Sequence, residues 1–185
     1  MKILAIIGSP RETGNTSRLV GALMQGAEAV GHQVEIINIT RMGIGGCVAC
    51  GACKTGKVEY CAVNDAMQEL YPKLIAADCL VLASPVYMGQ VTGQLKNFLD
   101  RWYAFLEADY NIKHLPGKKY VTVTVSGAPA EAFASLTAYL DHWFGTFFKM
   151  QRLGGLIAGN LLGPEDIAGQ PELLAEAEAL GRSLK

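Results

Sequence analysis

Five short apolar runs punctuate the chain: Ile3 to Ile7, Val34 to Ile39, Cys79 to Ala83, Tyr120 to Val125 and Leu153 to Ala158. They are rich in branched residues and lack polar alternation, the pattern of strands buried on both faces of a parallel sheet. Between them apolar residues recur three or four apart, as in Leu19, Leu23, Met24, Ala27 and Val30, and again in Val91, Leu95, Phe98, Leu99 and Trp102. That spacing puts one apolar stripe on a helix. A third helix is expected to start at Asn64 or Asp65, either of which can cap it, with Pro72 kinking its middle. Pro171 can open a last helix carrying Leu173, Leu174, Ala177, Leu180 and Leu184. Strands alternating with helices predict an α/β domain on a doubly wound, five-stranded parallel sheet.

In such a sheet ligands bind beyond the carboxyl ends of the strands, which singles out the loops after strands one, three and four. The first loop, Gly8 to Ser17, carries Ser9, Thr13, Asn15, Thr16 and Ser17 with one cation, Arg11, and runs into a helix N-terminus. Hydroxyls, backbone N–H groups and the positive end of a helix suit a monophosphate. Neither a Gly-Lys-Ser/Thr nor a Gly-x-Gly-x-x-Gly pattern is present, which disfavours nucleoside triphosphates and a resident Rossmann dinucleotide. A capped loop that binds nothing is the bland alternative. The second loop, Ser84-Pro85-Val86-Tyr87-Met88-Gly89, sets a stiff turn, an aromatic side chain and a permissive glycine where a planar ring could lie against backbone. Ser126 and Gly127 would wall that ring from the other side. Tyr87 has an equal claim to a core or subunit contact.

A chain of 185 residues suits one well-cored domain, 1–185. Net charge is -1 and the lysines and arginines form no block, which argues against nucleic acid or an anionic membrane as a partner. The first apolar run stops at Ser9-Pro10-Arg11, too soon for a signal sequence or a membrane span, so a cytoplasmic setting is expected. In a reducing compartment clustered thiols bind metals or do redox chemistry more often than they form structural disulfides.

Four of the five cysteines, Cys47, Cys50, Cys53 and Cys61, fall within a glycine-rich loop at about 43–63. Thiols buried as small hydrophobes would scatter through the core, whereas ligands must converge. The compact Cys-x2-Cys-x2-Cys run reads as three ligands of a [4Fe-4S] cluster, with Cys61 the fourth after a longer gap. Zinc also takes four thiolates, though usually from two separated Cys-x2-Cys pairs. A motif retained without any cluster, or oxidised to disulfides, is a further alternative. Cys79 lies in an apolar run and reads as an inert core residue.

Taken in order, Gly8-Ser-Pro-Arg11, Gly14-Asn-Thr-Ser17, Gly46-Cys-Val-Ala-Cys-Gly-Ala-Cys53, Ser84-Pro-Val-Tyr87 and Lys96-Asn-Phe-Leu-Asp-Arg-Trp102 resemble the NADPH-dependent FMN reductase family, specifically its iron-sulfur flavoprotein branch. The resemblance covers nearly the whole chain. It implies a flavodoxin-like, three-layer α/β/α fold, FMN as the flavin, and a homodimer or homotetramer whose subunits complete one another's flavin pockets. It assigns the phosphate to Ser9, Arg11, Asn15, Thr16 and Ser17. It assigns the ring and ribityl chain to Pro85, Val86, Tyr87, Met88, Gly89, Ser126 and Gly127. The expected function is electron transfer between a [4Fe-4S] cluster and FMN, with a small molecule or protein as outside donor or acceptor and NAD(P)H as a transient donor. Such chemistry belongs to the cofactors and requires no acid–base residue. The alternatives are a cluster-free NAD(P)H-dependent FMN or quinone reductase, and a non-enzymatic flavodoxin-like carrier or zinc-binding module.

His32, His114 and His142 lack partners at ligand spacing and read as surface or satisfied structural residues. Asp100 and Arg101 could pair at a subunit contact, with a solvated pair as the default reading. Trp102, Tyr103, Phe105, Trp143, Phe144, Phe147 and Phe148 exceed what one small core needs, which predicts an oligomer interface.

Overall fold

A computed structural model describes residues 1–185. Strands β1 (Lys2–Ile7), β2 (Gln33–Asn38), β3 (Cys79–Pro85), β4 (Lys119–Val125) and β5 (Gln151–Ala158) form one sheet in the order β2-β1-β3-β4-β5. Every pairing is parallel. This is the flavodoxin-like order, in which the chain reverses direction across the sheet beside β1.

Helices α1 (Asn15–Ala29) and α5 (Pro171–Ser183) cover one face, sharing a core with Ile3, Ala5, Val81 and Val123. Helices α2 (Met67–Ala76), α3 (Gly93–Asp100) and α4 (Ala134–Asp141) cover the other, packing with Leu4, Ile6, Leu80 and Leu82. Alternate residues of β1 and β3 thus feed opposite cores, which is why these runs are apolar throughout. The reading fails for β2. It is an edge strand with Gln33, Glu35 and Ile36 exposed, so the run Val34 to Ile39 marks one covered face instead of two.

Helix α2 starts at Met67, slightly later than expected, with the Asp65 side chain serving its first N–H. One Asp65 carboxylate oxygen accepts the Met67 N–H at 3.0 Å while the other is held by Arg101 at 2.6 Å. Pro72 lies inside α2 without ending it. Helix α3 is capped by Thr92, whose hydroxyl oxygen accepts the Leu95 N–H at 3.2 Å. Beyond Asp100 the chain tightens into a 3-10 turn, Arg101–Phe105.

The surplus aromatics turn inward. Trp102 is the hub of a buried cluster, with Phe98, Phe144 and Phe148 ring centroids at 5.8, 5.7 and 5.5 Å. The expectation of an interface built from all seven therefore fails for Trp102 and Phe105, which are wholly buried, while Phe144 and Phe148 form the floor of a groove. Tyr103, Trp143 and Phe147 remain at a surface groove of about 410 Å³ with Leu99 and Tyr139. No helix is long and apolar enough to cross a membrane.

Candidate cofactor site and cysteine segment

The carboxyl ends of the strands open on a cavity of about 190 Å³. Ser9, Arg11, Asn15, Thr16, Pro85, Val86, Tyr87, Ser126 and Gly127, all singled out in the sequence, line it. Ser17, Met88 and Gly89 do not. Gly14, Val125, Leu161 and Leu162 also line it, and sequence reasoning did not name them.

The loop from β1 to α1 is braced from several sides. Ser9 Oγ accepts the Arg11 N–H at 3.3 Å, and Ser17 Oγ donates to the Arg11 carbonyl at 3.3 Å. Asn38 Nδ2 and Thr40 Oγ1 both donate to the Ser9 carbonyl, at 3.1 and 3.2 Å. Ser17 is therefore a brace behind the loop, not a wall of the cavity. Asn15 is committed elsewhere: its Nδ2 donates to the Gly163 carbonyl at 2.8 Å and its Oδ1 accepts the Ile167 N–H at 3.1 Å. No side chain caps α1 at Gly14. The N–H groups of its first turn have no partner within the helix and suit an anion.

Thr92 joins the first two loops. Its hydroxyl donates to the Gly8 carbonyl at 2.6 Å, and its N–H donates to Ser84 Oγ at 3.0 Å. Position 8 must be glycine for this contact, since a Cβ there would lie 2.6 Å from Leu95 Cβ. After β3 the chain reverses in a two-residue turn in which Tyr87 and Gln90 exchange both backbone hydrogen bonds, at 2.8 and 3.0 Å. Both central residues, Met88 and Gly89, are left-handed, with φ of 50° and 76°. That geometry carries Met88 wholly into solvent and leaves Tyr87 half-exposed at the cavity rim. Ser126 Oγ donates to the Ala128 carbonyl at 2.7 Å, shaping the wall opposite.

The cysteine segment follows the carboxyl end of β2. Ala49 and Gly51 take left-handed conformations before a single 3-10 turn, Ala52–Lys54. Cys47 and Cys50 are exposed, whereas Cys53 and Cys61 are half-buried against the core. All are free thiols, and the Ala49 N–H reaches Cys47 Sγ at 3.4 Å. The structure does not draw three or more metal-ligating side chains to one point. Gln68 Nε2 donates to the Cys61 carbonyl at 2.6 Å and the Val63 carbonyl at 2.7 Å. Lys54 Nζ donates to the carbonyls of Tyr103, at 2.6 Å, and Leu106, and lies 4.0 Å from the centroid of the Tyr103 ring.

Arg101 overturns the reading of a solvated or subunit-contact Asp100–Arg101 pair. Asp100 pairs with Lys96 on the same helix, while the Arg101 side chain is fully buried. Burial opposes the Arg101 charge, but the Asp65 carboxylate and the Cys61 side chain hold it more firmly protonated than usual. Burial likewise opposes the Asp65 charge, and hydrogen bonds from Arg101 and from the N–H groups of Gly45 and Met67 still hold its carboxyl below the ordinary range. Cys79 is a core residue, its thiol pushed up to about 12 by burial.

A family profile described as NADPH-dependent FMN reductase matches residues 1–160. The chain belongs to that family. It is 34% identical over 181 residues to an iron-sulfur flavoprotein of Archaeoglobus fulgidus, covering 96% of this chain and 80% of that protein. To an iron-sulfur flavoprotein of Methanosarcina thermophila it is 36% identical over 117 residues, covering 63% of this chain and 60% of that protein, less than two thirds of its length. An NAD(P)H:quinone oxidoreductase from Methanothermobacter marburgensis shares the fold, with a TM-score of 0.79 at 16% identity over 98% of this chain and 96% of that one.

Family membership makes this chain a flavin-dependent oxidoreductase with FMN as its flavin. In this FMN reductase family member, the signal for Leu161 and Leu162 was present but unused. They follow β5, at the same carboxyl edge of the sheet as the other cavity loops. Thr92 and Arg101 left weaker signals, because their partners at Gly8 and Asp65 lie far off in sequence.

Proposed function

We propose that this chain is an FMN-dependent oxidoreductase that passes electrons between flavin and a [4Fe-4S] cluster held by Cys47, Cys50, Cys53 and Cys61. The observation carrying the flavin half is the cavity itself, which joins a polar loop at a helix N-terminus to a wall of Val86, Tyr87, Leu161 and Leu162. A monophosphate and a planar ring need those two environments side by side. The residues present fit FMN. Ser9, Arg11, Thr16 and the first-turn N–H groups of α1 would hold the phosphate, the helix end contributing about 0.3–1 kcal/mol or more where water is excluded. Asn15 and Ser17 would act behind them by fixing the loop. Pro85 to Tyr87 with Ser126 and Gly127 would orient the ring and ribityl chain.

The donor chemistry of the cysteine segment fits an iron–sulfur cluster, in that four free thiols lie within one glycine-rich stretch beside a buried Arg101 Nε without a partner. Bound FMN supplies hydride and single-electron chemistry, and a cluster supplies single-electron transfer. The protein's share is to bind, orient and exclude water. Residues 1–185 would serve as one domain, in a cytoplasmic setting that keeps the thiols reduced. The outside donor or acceptor would be a small molecule or protein, with NAD(P)H visiting transiently. The groove of Tyr103, Trp143 and Phe147 favours self-association as a homodimer or homotetramer.

Anaerobic purification with iron, acid-labile sulfide and FMN counted per chain tests both halves. About four irons and four sulfides beside FMN are expected. FMN without iron would favour the cluster-free reductase; metal without flavin would sink the flavin reading.

A further inference from the structure

Arg101 is the charged residue that stands among the buried ones. Its guanidinium leaves the turn after α3 and grips the cysteine segment by both feet. Nη1 donates to the Gly45 carbonyl at 3.0 Å and to Asp65 Oδ2 at 2.6 Å, and Nη2 donates to the Val63 carbonyl at 3.2 Å. Gly45 stands two residues before Cys47, and Val63 two residues after Cys61. The same turn holds the middle of the segment, since the Tyr103 carbonyl receives Lys54, the neighbour of Cys53.

One donor is left over. Arg101 Nε is buried and has no hydrogen-bond partner, and the Val63 carbonyl held by its Nη2 is shared with Gln68 Nε2, which also holds the Cys61 carbonyl. A buried donor without an acceptor is unfavourable, and a thiolate is an acceptor with matching charge. The Cys61 backbone is also fixed, through Gln68 on its carbonyl and through Tyr60 stacked on Tyr71 at 4.8 Å. This set of contacts gathers on Cys61, not on the exposed Cys47 and Cys50.

We propose that Arg101 is the positioning residue that delivers Cys61 as the fourth cluster ligand, closing the segment at Gly45 and Val63 and donating its Nε–H to the Cys61 sulfur. The inference rests on the cluster reading above. It would keep a ligand after a longer gap within reach of the compact triplet, because Lys54 at one end of the gap and Val63 just past the other are held by one turn.

The test is anaerobic reconstitution with ferrous iron and sulfide of the wild-type, Arg101→Gln, Arg101→Lys, Cys61→Ser and Cys61→Ser/Arg101→Gln proteins, all with FMN counted as a control for folding. Arg101→Gln is expected to keep FMN but hold about three irons, with the electron paramagnetic resonance signal of an oxidised three-iron cluster. Arg101→Lys, which keeps the charge, should restore part of the four-iron cluster, and the double variant should match Cys61→Ser. A four-iron cluster of unaltered spectrum and potential in Arg101→Gln would overturn the inference and leave the cluster reading standing. A wild-type protein that binds FMN and takes up no iron would overturn both. Should Arg101→Gln lose FMN and iron together, Arg101→Lys decides: a folded lysine variant with an unaltered cluster overturns the inference, and a mixture of three-iron and four-iron signals supports it.

Discussion

Asp65 and Arg101 stand 36 positions apart in sequence and 2.6 Å apart in the fold, the guanidinium fully buried and the carboxylate nearly so. Removing the Asp65 carboxylate leaves the buried Arg101 charge without the only carboxylate it pairs with. Replacing Asp65 with Ala should destabilise the protein by about 3–5 kcal/mol, the range for breaking a buried ion pair. Urea unfolding checks this, and a loss below about 1 kcal/mol would mean the pair behaves as if it were in solvent.

The same pair gives stability a defined acid limb. The Asp65 carboxyl is held below its ordinary range in the folded protein, while in the unfolded chain it returns to about 3.9. A depressed folded value contributes stability above the unfolded one and loses it as pH falls through the folded one. The Asp65 contribution should therefore be complete near neutrality and disappear below about pH 4. Urea midpoints taken from pH 7 to pH 3 should fall more steeply for wild type than for Asp65→Asn; parallel curves would remove Asp65 as a cause.

How far the sequence reached depended on whether an interaction was local. Strand positions, the last helix and the cavity loops were readable because apolar period, proline placement and turn composition act over a few residues. The edge exposure of β2 was not, since strand order is set by which crossovers fit and not by the strand's own composition. The inward turn of Trp102 and Phe144 comes from contact between the turn after α3 and the segment after α4, which periodicity alone does not specify. Asn15 was read as a phosphate ligand from its neighbours, yet its amide is consumed by the loop after β5, 148 positions away at Gly163.

That distant contact is itself testable. Both ends of the Asn15 amide are used, so Asn15→Ala should cost about 1–3 kcal/mol and free the segment bearing Leu161 and Leu162. Asn15→Asp keeps the acceptor for the Ile167 N–H but sets a carboxylate against the Gly163 carbonyl. Both variants should weaken FMN binding, with added protease sensitivity near residue 163. Weakened binding with an unchanged cleavage pattern would instead return Asn15 to the phosphate.

Thr92 should matter for the cavity without touching it. Its hydroxyl caps α3 and donates to the Gly8 carbonyl at 2.6 Å, and Val keeps the shape while losing both bonds. Thr92→Val is expected to cost about 1–2 kcal/mol of stability and to reduce FMN affinity several-fold through the displaced loop. Thr92→Ser should restore most of both. If FMN titration gave equal affinity for Val and Thr, the clamp between the loops would be irrelevant to binding.

Met88 separates the cavity from the turn that frames it. The residue holds φ of 50° with its side chain fully in solvent, a conformation that disfavours a branched or long side chain and suits Asn. Met88→Asn should raise stability by about 0.5–1 kcal/mol, since the turn keeps its shape at lower local strain. FMN affinity should stay within about twofold, because the Met88 side chain does not line the cavity. The fluorescence of free FMN, lost on binding, gives the affinity, and thermal unfolding gives the stability. A stabilised variant with FMN affinity reduced tenfold would show that Met88 folds back over the bound flavin.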